Sequence, residues 1–135
     1  MIYEMTVQVR VMDIFKGQEW YTTLFNREPD FIPHGGFAEW ELIPGCWLQL
    51  AEGNPSTYSG PIRLGVEDIS SERERLKSLL PLEHFDIHER EEVPVKWATF
   101  QDPWGNGIGL FEYHDHSIMK QRIQFIHGKD KLSPE

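Results

Sequence analysis

The chain has 135 residues, the length of one domain, and is 39% hydrophobic with five Trp, eight Phe and four Tyr. That composition supports a packed core and excludes a disordered chain. A formal net charge of −9 argues against a nucleic-acid partner, which needs a basic face, and no apolar run approaches the roughly 20 residues that span a bilayer.

The N-terminal run MIYEMTVQVRVMD lacks the basic start and long apolar stretch of a secretory signal. Within it Val7, Val9 and Val11 alternate with polar residues, the period of a half-buried strand. Asp13 follows as a helix N-cap, and Ile14, Gly17, Tyr21, Leu24 and Phe25 fall at helical spacing. Pro29 helps to stop that helix. A weak strand is expected near Asp30–Pro33, then strands through Phe37-Ala38-Glu39-Trp40 and Leu48-Gln49-Leu50-Ala51-Glu52, joined by the turn Pro44-Gly45. Residues 53–60, rich in Gly, Asn, Pro, Ser and Thr, read as a linker.

The pattern then starts again. Ile62, Leu64 and Val66 match Val7, Val9 and Val11 at an offset of 55. Asp68 matches Asp13, and Leu76, Leu79 and Leu80 match Tyr21, Leu24 and Phe25. Beyond Pro81 and a weak strand near Phe85–Glu91 the offset becomes 60: Trp97-Ala98-Thr99-Phe100 matches Phe37–Trp40, and Ile108-Gly109-Leu110-Phe111-Glu112 matches Leu48–Glu52. The change implies five extra residues between His84 and Pro94. The chain therefore reads as a first half, 1–52, a linker, 53–60, and a second half, 61–113, each strand, helix, weak strand, strand, strand. The expected fold is α+β: two βαβββ repeats forming a curved mixed sheet around a concave cavity, with the helices on the outer face.

A helix covers only one face of its sheet. The alternate residues Thr6, Gln8 and Arg10, with Pro61, Arg63 and Gly65, must point to the other face, as must Trp47, Gln49 and Ala51 and Gly109, Phe111 and Tyr113. Mixed aromatic and polar walls of this kind suit a binding cavity; they also suit a solvated sheet face or a subunit contact.

These residues resemble a known family. The Val-x-Asp start with a helix ending Trp20-Tyr21-x-x-Leu24-Phe25, the run from Phe37 to Leu50, and the ending Asp102-Pro103-Trp104-Gly105-Asn106-Gly107-Ile108-Gly109-Leu110-Phe111-Glu112 are similar to the glyoxalase/bleomycin-resistance/dioxygenase (vicinal oxygen chelate) superfamily over residues 1–113. The resemblance implies that the halves curl around a shared site and that the protein forms a homodimer. Metal-dependent members carry ligands on the first and last strands of each half, which correspond here to Thr6, Gln49, Pro61 and Gly109. None is His, Glu or Asp; Pro and Gly have no ligating side chain, and neutral Thr and Gln oxygens are weak ligands. The resemblance thus points to the family's metal-free branch, with no cofactor, and to a protein that binds a small organic molecule. The ligand would stack on Trp47, Trp97 or Phe111 and be oriented by Thr6, Gln8, Gln49 and Arg63. A lyase, isomerase or dioxygenase of the same superfamily with a displaced metal site, and a non-catalytic interaction module, are the alternatives.

Other groups read as structural. Glu52 and Glu112 are expected as solvated edge carboxylates. His114 and His116 fit a surface turn, and His84 and His88 an edge strand. Cys46, the single cysteine, has no disulfide partner within the chain and no evident base beside it, which fits a reducing compartment. Partners beyond a small molecule and a second copy are not expected: no nucleic acid, no membrane, and a cytoplasmic location. In the C-terminal extension, 114–135, Ile118, Met119, Ile123 and Ile126 approach helical spacing after Ser117, to dock on the chain itself or on a second subunit, and the end from Gly128 is expected to be loose.

Overall fold

The computed structural model describes residues 1, 4–55 and 61–132. Residues 56–60 of the predicted linker lie outside the described residues. The elements run β1 (Met5–Val11), α1 (Ile14–Phe25), β2 (Phe37–Ile43), β3 (Cys46–Glu52), β4 (Ile62–Gly65), α2 (Ile69–Leu79), β5 (Val95–Gln101), β6 (Gly107–Tyr113) and α3 (His116–Leu132).

Both halves build the same sheet. In the first the order is β1-β3-β2, in the second β4-β6-β5. The first and last strands of each half are parallel and the last two antiparallel. The weak strands are present as single antiparallel bridges, Phe31 to Glu39 and His88 to Trp97. Each half thus carries a three-stranded sheet with its weak strand reduced to a bridge; in the first half Pro29 and Pro33, two residues either side of Phe31, supply no N–H to extend the ladder.

Helix starts follow the local sequence. The Asp13 carboxylate accepts from the Phe15 and Lys16 N–H groups, at 3.0 and 3.1 Å, and Asp68 accepts from Ser71 N–H at 3.0 Å. A second device repeats beneath these caps. Glu52, at the end of β3, accepts from Ile14 N–H at 3.0 Å; Glu112, near the end of β6, accepts from Ile69 N–H at 2.8 Å. Each supplies negative charge to the positive end of its helix. Glu112 is only 8% exposed, so the expectation of a solvated edge carboxylate is corrected there. Its side chain falls on the helix-covered face, where the α2 N–H and His116 Nε2, at 2.9 Å, replace water.

One core serves both halves. Val9, Val11, Trp20, Tyr21, Trp40, Leu48 and Leu50 form it with Ile69, Leu76, Phe100, Ile108 and Leu110. Repeat-equivalent positions play equivalent parts: Ala38 and Ala98, Leu48 and Ile108, and Leu50 and Leu110 are all buried. Val7 departs from the pattern at 42% exposed. The halves are tied by polar contacts as well. Arg75 of α2 donates to the carbonyls of Thr23 and Leu24 at the end of α1, at 2.9 and 2.8 Å, satisfying acceptors a helix end leaves open.

The C-terminal extension docks on its own chain. Arg122 stands 5.7 Å from the Tyr113 ring centroid, and Ile43 of β2 lines a cavity of about 420 Å³ with Ile118, Phe125 and Ile126. The helix begins at His116 and continues through Leu132, correcting the expectation of a loose segment from Gly128; residues 133–135 lie outside the described residues. No helix of the described residues is long and apolar enough to cross a membrane.

Candidate functional site

Strand pleating sends Thr6, Gln8 and Arg10 of β1 away from the helices, and the register sets them beside β3: Thr6 faces Trp47, Gln8 faces Gln49 and Arg10 faces Ala51. Glu39 and Glu41 of β2 extend the rows, opposite Gln49 and Trp47. The polar groups are in contact. Gln8 Nε2 donates to Gln49 Oε1 at 2.7 Å, and Arg10 Nε donates to Gln8 Oε1 at 3.4 Å. Trp47 Nε1 donates to Glu4 Oε2 at 3.0 Å, so the indole is fixed while its ring stays partly exposed.

The second half builds a different surface on the same scaffold. Arg63 faces Gly109, Gly65 faces Phe111, and Phe111 faces Trp97. Two glycines leave the floor flat. A Cβ at Gly65 would meet the Phe111 ring at 3.0 Å, and one at Gly109 would meet Arg63 Cγ at 3.3 Å. Phe111 also packs edge-on against Tyr113 with centroids 5.8 Å apart, and Trp97 lies 5.5 Å from His88.

The predicted site residues thus fall into two groups. Thr6, Gln8, Trp47 and Gln49 share the open face of the first sheet; Arg63, Trp97 and Phe111 share that of the second. Thr6, Gln8 and Arg63 are exposed, and Trp47, Gln49, Trp97 and Phe111 are half-buried. In a single chain they present open surfaces.

Other histidines have local partners. His84 Nε2 meets Asp86 at 2.8 Å, His114 Nδ1 lies 3.6 Å from Glu89, and His116 meets Glu112. His114 and His116 therefore do not act as a pair. Cys46 is exposed and opens β3. Among the described residues no three His, Cys, Asp or Glu side chains gather in a way that could hold a metal ion.

Read as a turn alone, Asp102–Gly107 concealed a buried network. Asp102 Oδ1 accepts from the Trp104 and Asn106 N–H groups at 2.9 and 2.8 Å, and Oδ2 accepts from Asn106 Nδ2 at 2.7 Å and Tyr21 Oη at 2.8 Å. Asn106 Nδ2 also donates to the Arg10 carbonyl at 2.9 Å. Burial and the Asp102 carboxylate push the Tyr21 phenol far above its ordinary pKa, so it remains a donor throughout the accessible pH range. A tyrosine on the core face of a helix, whose hydroxyl needs a partner, was the signal; its partner lies 81 residues away.

Glu112 carries a pH dependence. Burial opposes its ionisation, but the Ile69 N–H, His116 and Lys96 outweigh that and hold its pKa below the ordinary glutamate range. A carboxyl depressed in the folded state stabilises it above the unfolded pKa, and that contribution is lost as pH falls through the folded value. Urea midpoints are therefore expected to fall below about pH 4.5, and Glu112→Gln, costing about 1 kcal/mol at pH 7, to show a shallower fall. Equal slopes for the two proteins would refute this assignment.

No family model matches the sequence, and no curated protein matches it. Solved structures do. A glyoxalase/bleomycin resistance protein from Catenulispora acidiphila DSM 44928 is 25% identical, with 81% of this chain and 96% of that chain covered and a TM-score of 0.67. The genomically encoded fosfomycin resistance protein FosX from Listeria monocytogenes is 17% identical, with 87% and 95% covered and a TM-score of 0.67. A lactoylglutathione lyase from Agrobacterium tumefaciens is 17% identical, with 80% and 91% covered and a TM-score of 0.62. The architecture is a doubled α+β fold with one helix-covered and one open face per sheet. It is the fold of the glyoxalase/bleomycin resistance/dioxygenase superfamily.

That fold implies a divalent metal in many members, and the donors at the corresponding positions do not suit one. Thr6 and Gln49 offer neutral oxygens, and the Gln49 oxygen already accepts from Gln8. Pro61 and Gly109 offer no side-chain donor. A hard cation wants several anionic oxygens and a transition metal wants imidazole, thiolate or carboxylate; these four positions supply none.

Proposed function

We propose that this chain is a small-molecule binding protein of the glyoxalase/bleomycin resistance superfamily that holds an organic ligand against its open sheet faces without a metal ion. One observation carries the reading: the positions that would ligate a metal lack anionic or imidazole donors, while their neighbours form a surface of aromatic rings and hydrogen-bonding side chains. Trp47, Trp97 and Phe111 supply stacking area; Thr6, Gln8, Gln49 and Arg63 supply direction. The fosfomycin resistance and bleomycin resistance names of two fold relatives are in keeping with organic ligands.

Each open face is half a pocket, and a second copy of the chain supplies the other half. Supporting this, β1 and β4 each pair on one side only, and Met5 and Val7 on β1 stay exposed, an edge that proteins seldom leave bare. The same reading places the protein in the cytoplasm. Sedimentation at micromolar concentration should give twice the mass of one chain; a single-chain mass would remove this assembly.

The test of binding uses metal-stripped protein and a library of small planar aromatics, followed through the indole N–H resonances. Saturable shifts of Trp47 and Trp97 are expected, with at least a tenfold loss of affinity in Trp97→Ala, the effect of about 1.4 kcal/mol. A library that shifts neither indole overturns the reading.

A further inference from the structure

We infer that Arg63, whose stem packs beside Gly109, selects a planar aromatic carboxylate as the ligand of the second sheet; this rests on the binding function proposed above. Gly109 is one of the positions at which metal-dependent members carry a ligand, and its side-chain space is filled. A Cβ built there would meet Arg63 Cγ at 3.3 Å and Pro61 Cβ at 3.7 Å. The Arg63 stem therefore packs beside Gly109, one of the two second-half positions without a ligating side chain.

Among the described residues Arg27 pairs with Asp30, Arg73 with Glu74, Arg75 with Glu72 and Arg90 with Glu92, and no acidic side chain pairs with Arg63. Arg63 is exposed in a chain of net charge −9, where acidic partners are plentiful elsewhere. A guanidinium presents a planar fork of donors that matches a carboxylate with two parallel hydrogen bonds.

The neighbouring surface defines the rest of the ligand. Two residues along β4, Gly65 lets the Phe111 ring lie against the strand, 3.0 Å from where its Cβ would be, and Trp97 faces Phe111 on β5. Two residues along a strand span about 7 Å, close to the distance from a carboxylate to the far side of an attached aromatic ring. A ligand that places its carboxylate on Arg63 thus lays its ring on Phe111 and Trp97. In the first sheet the corresponding face differs: its guanidinium, Arg10, donates to Gln8, Gln8 and Gln49 hold each other, and Glu39 and Glu41 would repel an anion.

The experiment titrates metal-stripped full-length protein with benzoate and with its neutral isostere benzamide, by calorimetry and by the Trp97 indole resonance. Benzoate is expected to bind at least tenfold tighter than benzamide, with Arg63→Gln bringing the ratio of the two affinities close to one. Arg63→Lys, a point charge without the fork, should keep part of it. Equal affinities for the two ligands in the unaltered protein, or a preference that survives in Arg63→Gln, overturn the assignment to Arg63 while leaving the binding function standing. Binding of neither ligand, with no Trp97 shift, overturns both.

Discussion

Asp102→Ala is expected to destabilise the protein by about 3–5 kcal/mol, among the larger effects of a single substitution. Asp102 is 5% exposed, and its two oxygens take four hydrogen bonds: the Trp104 and Asn106 N–H groups, the Asn106 amide and the Tyr21 hydroxyl. Removing the carboxylate strands several donors away from water, each at roughly 1–3 kcal/mol. Turn relaxation and the second bond of Asn106, to the Arg10 carbonyl, recover part of that. The melting temperature should fall by roughly 10–20 °C. Tyr21→Phe removes one donor and leaves Asp102 its other three, so about 1–2 kcal/mol is expected. The two substitutions should be strongly non-additive, because they remove the same bond. A loss for Asp102→Ala below about 1 kcal/mol, within the range of ordinary surface changes, would show that the network does not hold the halves together.

The second large effect tests the repeat. Trp40 is fully buried, packs at 5.3 Å from Phe25 and 6.4 Å from Tyr21 between centroids, and donates from Nε1 to the Arg27 carbonyl at 3.0 Å. Its counterpart 60 residues on is Phe100, 7% exposed and stacked on Phe85 at 4.9 Å. Truncating a buried aromatic to alanine costs about 3–5 kcal/mol. Trp40→Ala should lie at the upper end, since it also leaves the Arg27 carbonyl without its donor, and Phe100→Ala at the lower. Urea unfolding checks both. Because one core spans both halves, each variant should still unfold in a single transition. A variant in which one half melts separately would contradict the shared core.

The doubling could be read from the sequence because it is written in short-range signals. Alternating valines, an aspartate before each helix and a Pro-Gly or Asp-Pro turn need no knowledge of the partner residue. The open-face positions followed from pleating alone, and the register pairs Gln8 with Gln49 and Arg63 with Gly109. What stayed hidden depends on distance in the chain. Nothing near Tyr21 points to Asp102, nothing near Glu112 shows that α2 will shelter it, and nothing near Val7 sets it apart from the buried Val9 and Val11. Likewise, helical spacing from Ile118 to Ile126 gave the existence of α3, while its continuation to Leu132 past Gly128 had no apolar pattern to announce it.

The site was legible as chemistry and not as shape. Residue types at four positions argue against a conventional metal centre without any coordinates. That the seven candidate residues divide between two open faces, and that the stem of Arg63 covers the space above Gly109, required the fold. The two faces have also diverged: hydrogen-bonded amides and the carboxylates of Glu39 and Glu41 mark the first half, an aromatic floor of Trp97 and Phe111 beside Arg63 the second. Such divergence of equivalent positions suits a ligand with two chemically different ends.

Equilibrium dialysis of the metal-stripped chain against nickel, zinc, manganese and ferrous ions, followed by elemental analysis, bears most directly on the claim that these faces work without a metal. No ion should be retained in stoichiometric amount, and Thr6→Ala and Gln49→Ala should change nothing. Retention of one ion per chain, lost in either variant, would contradict it.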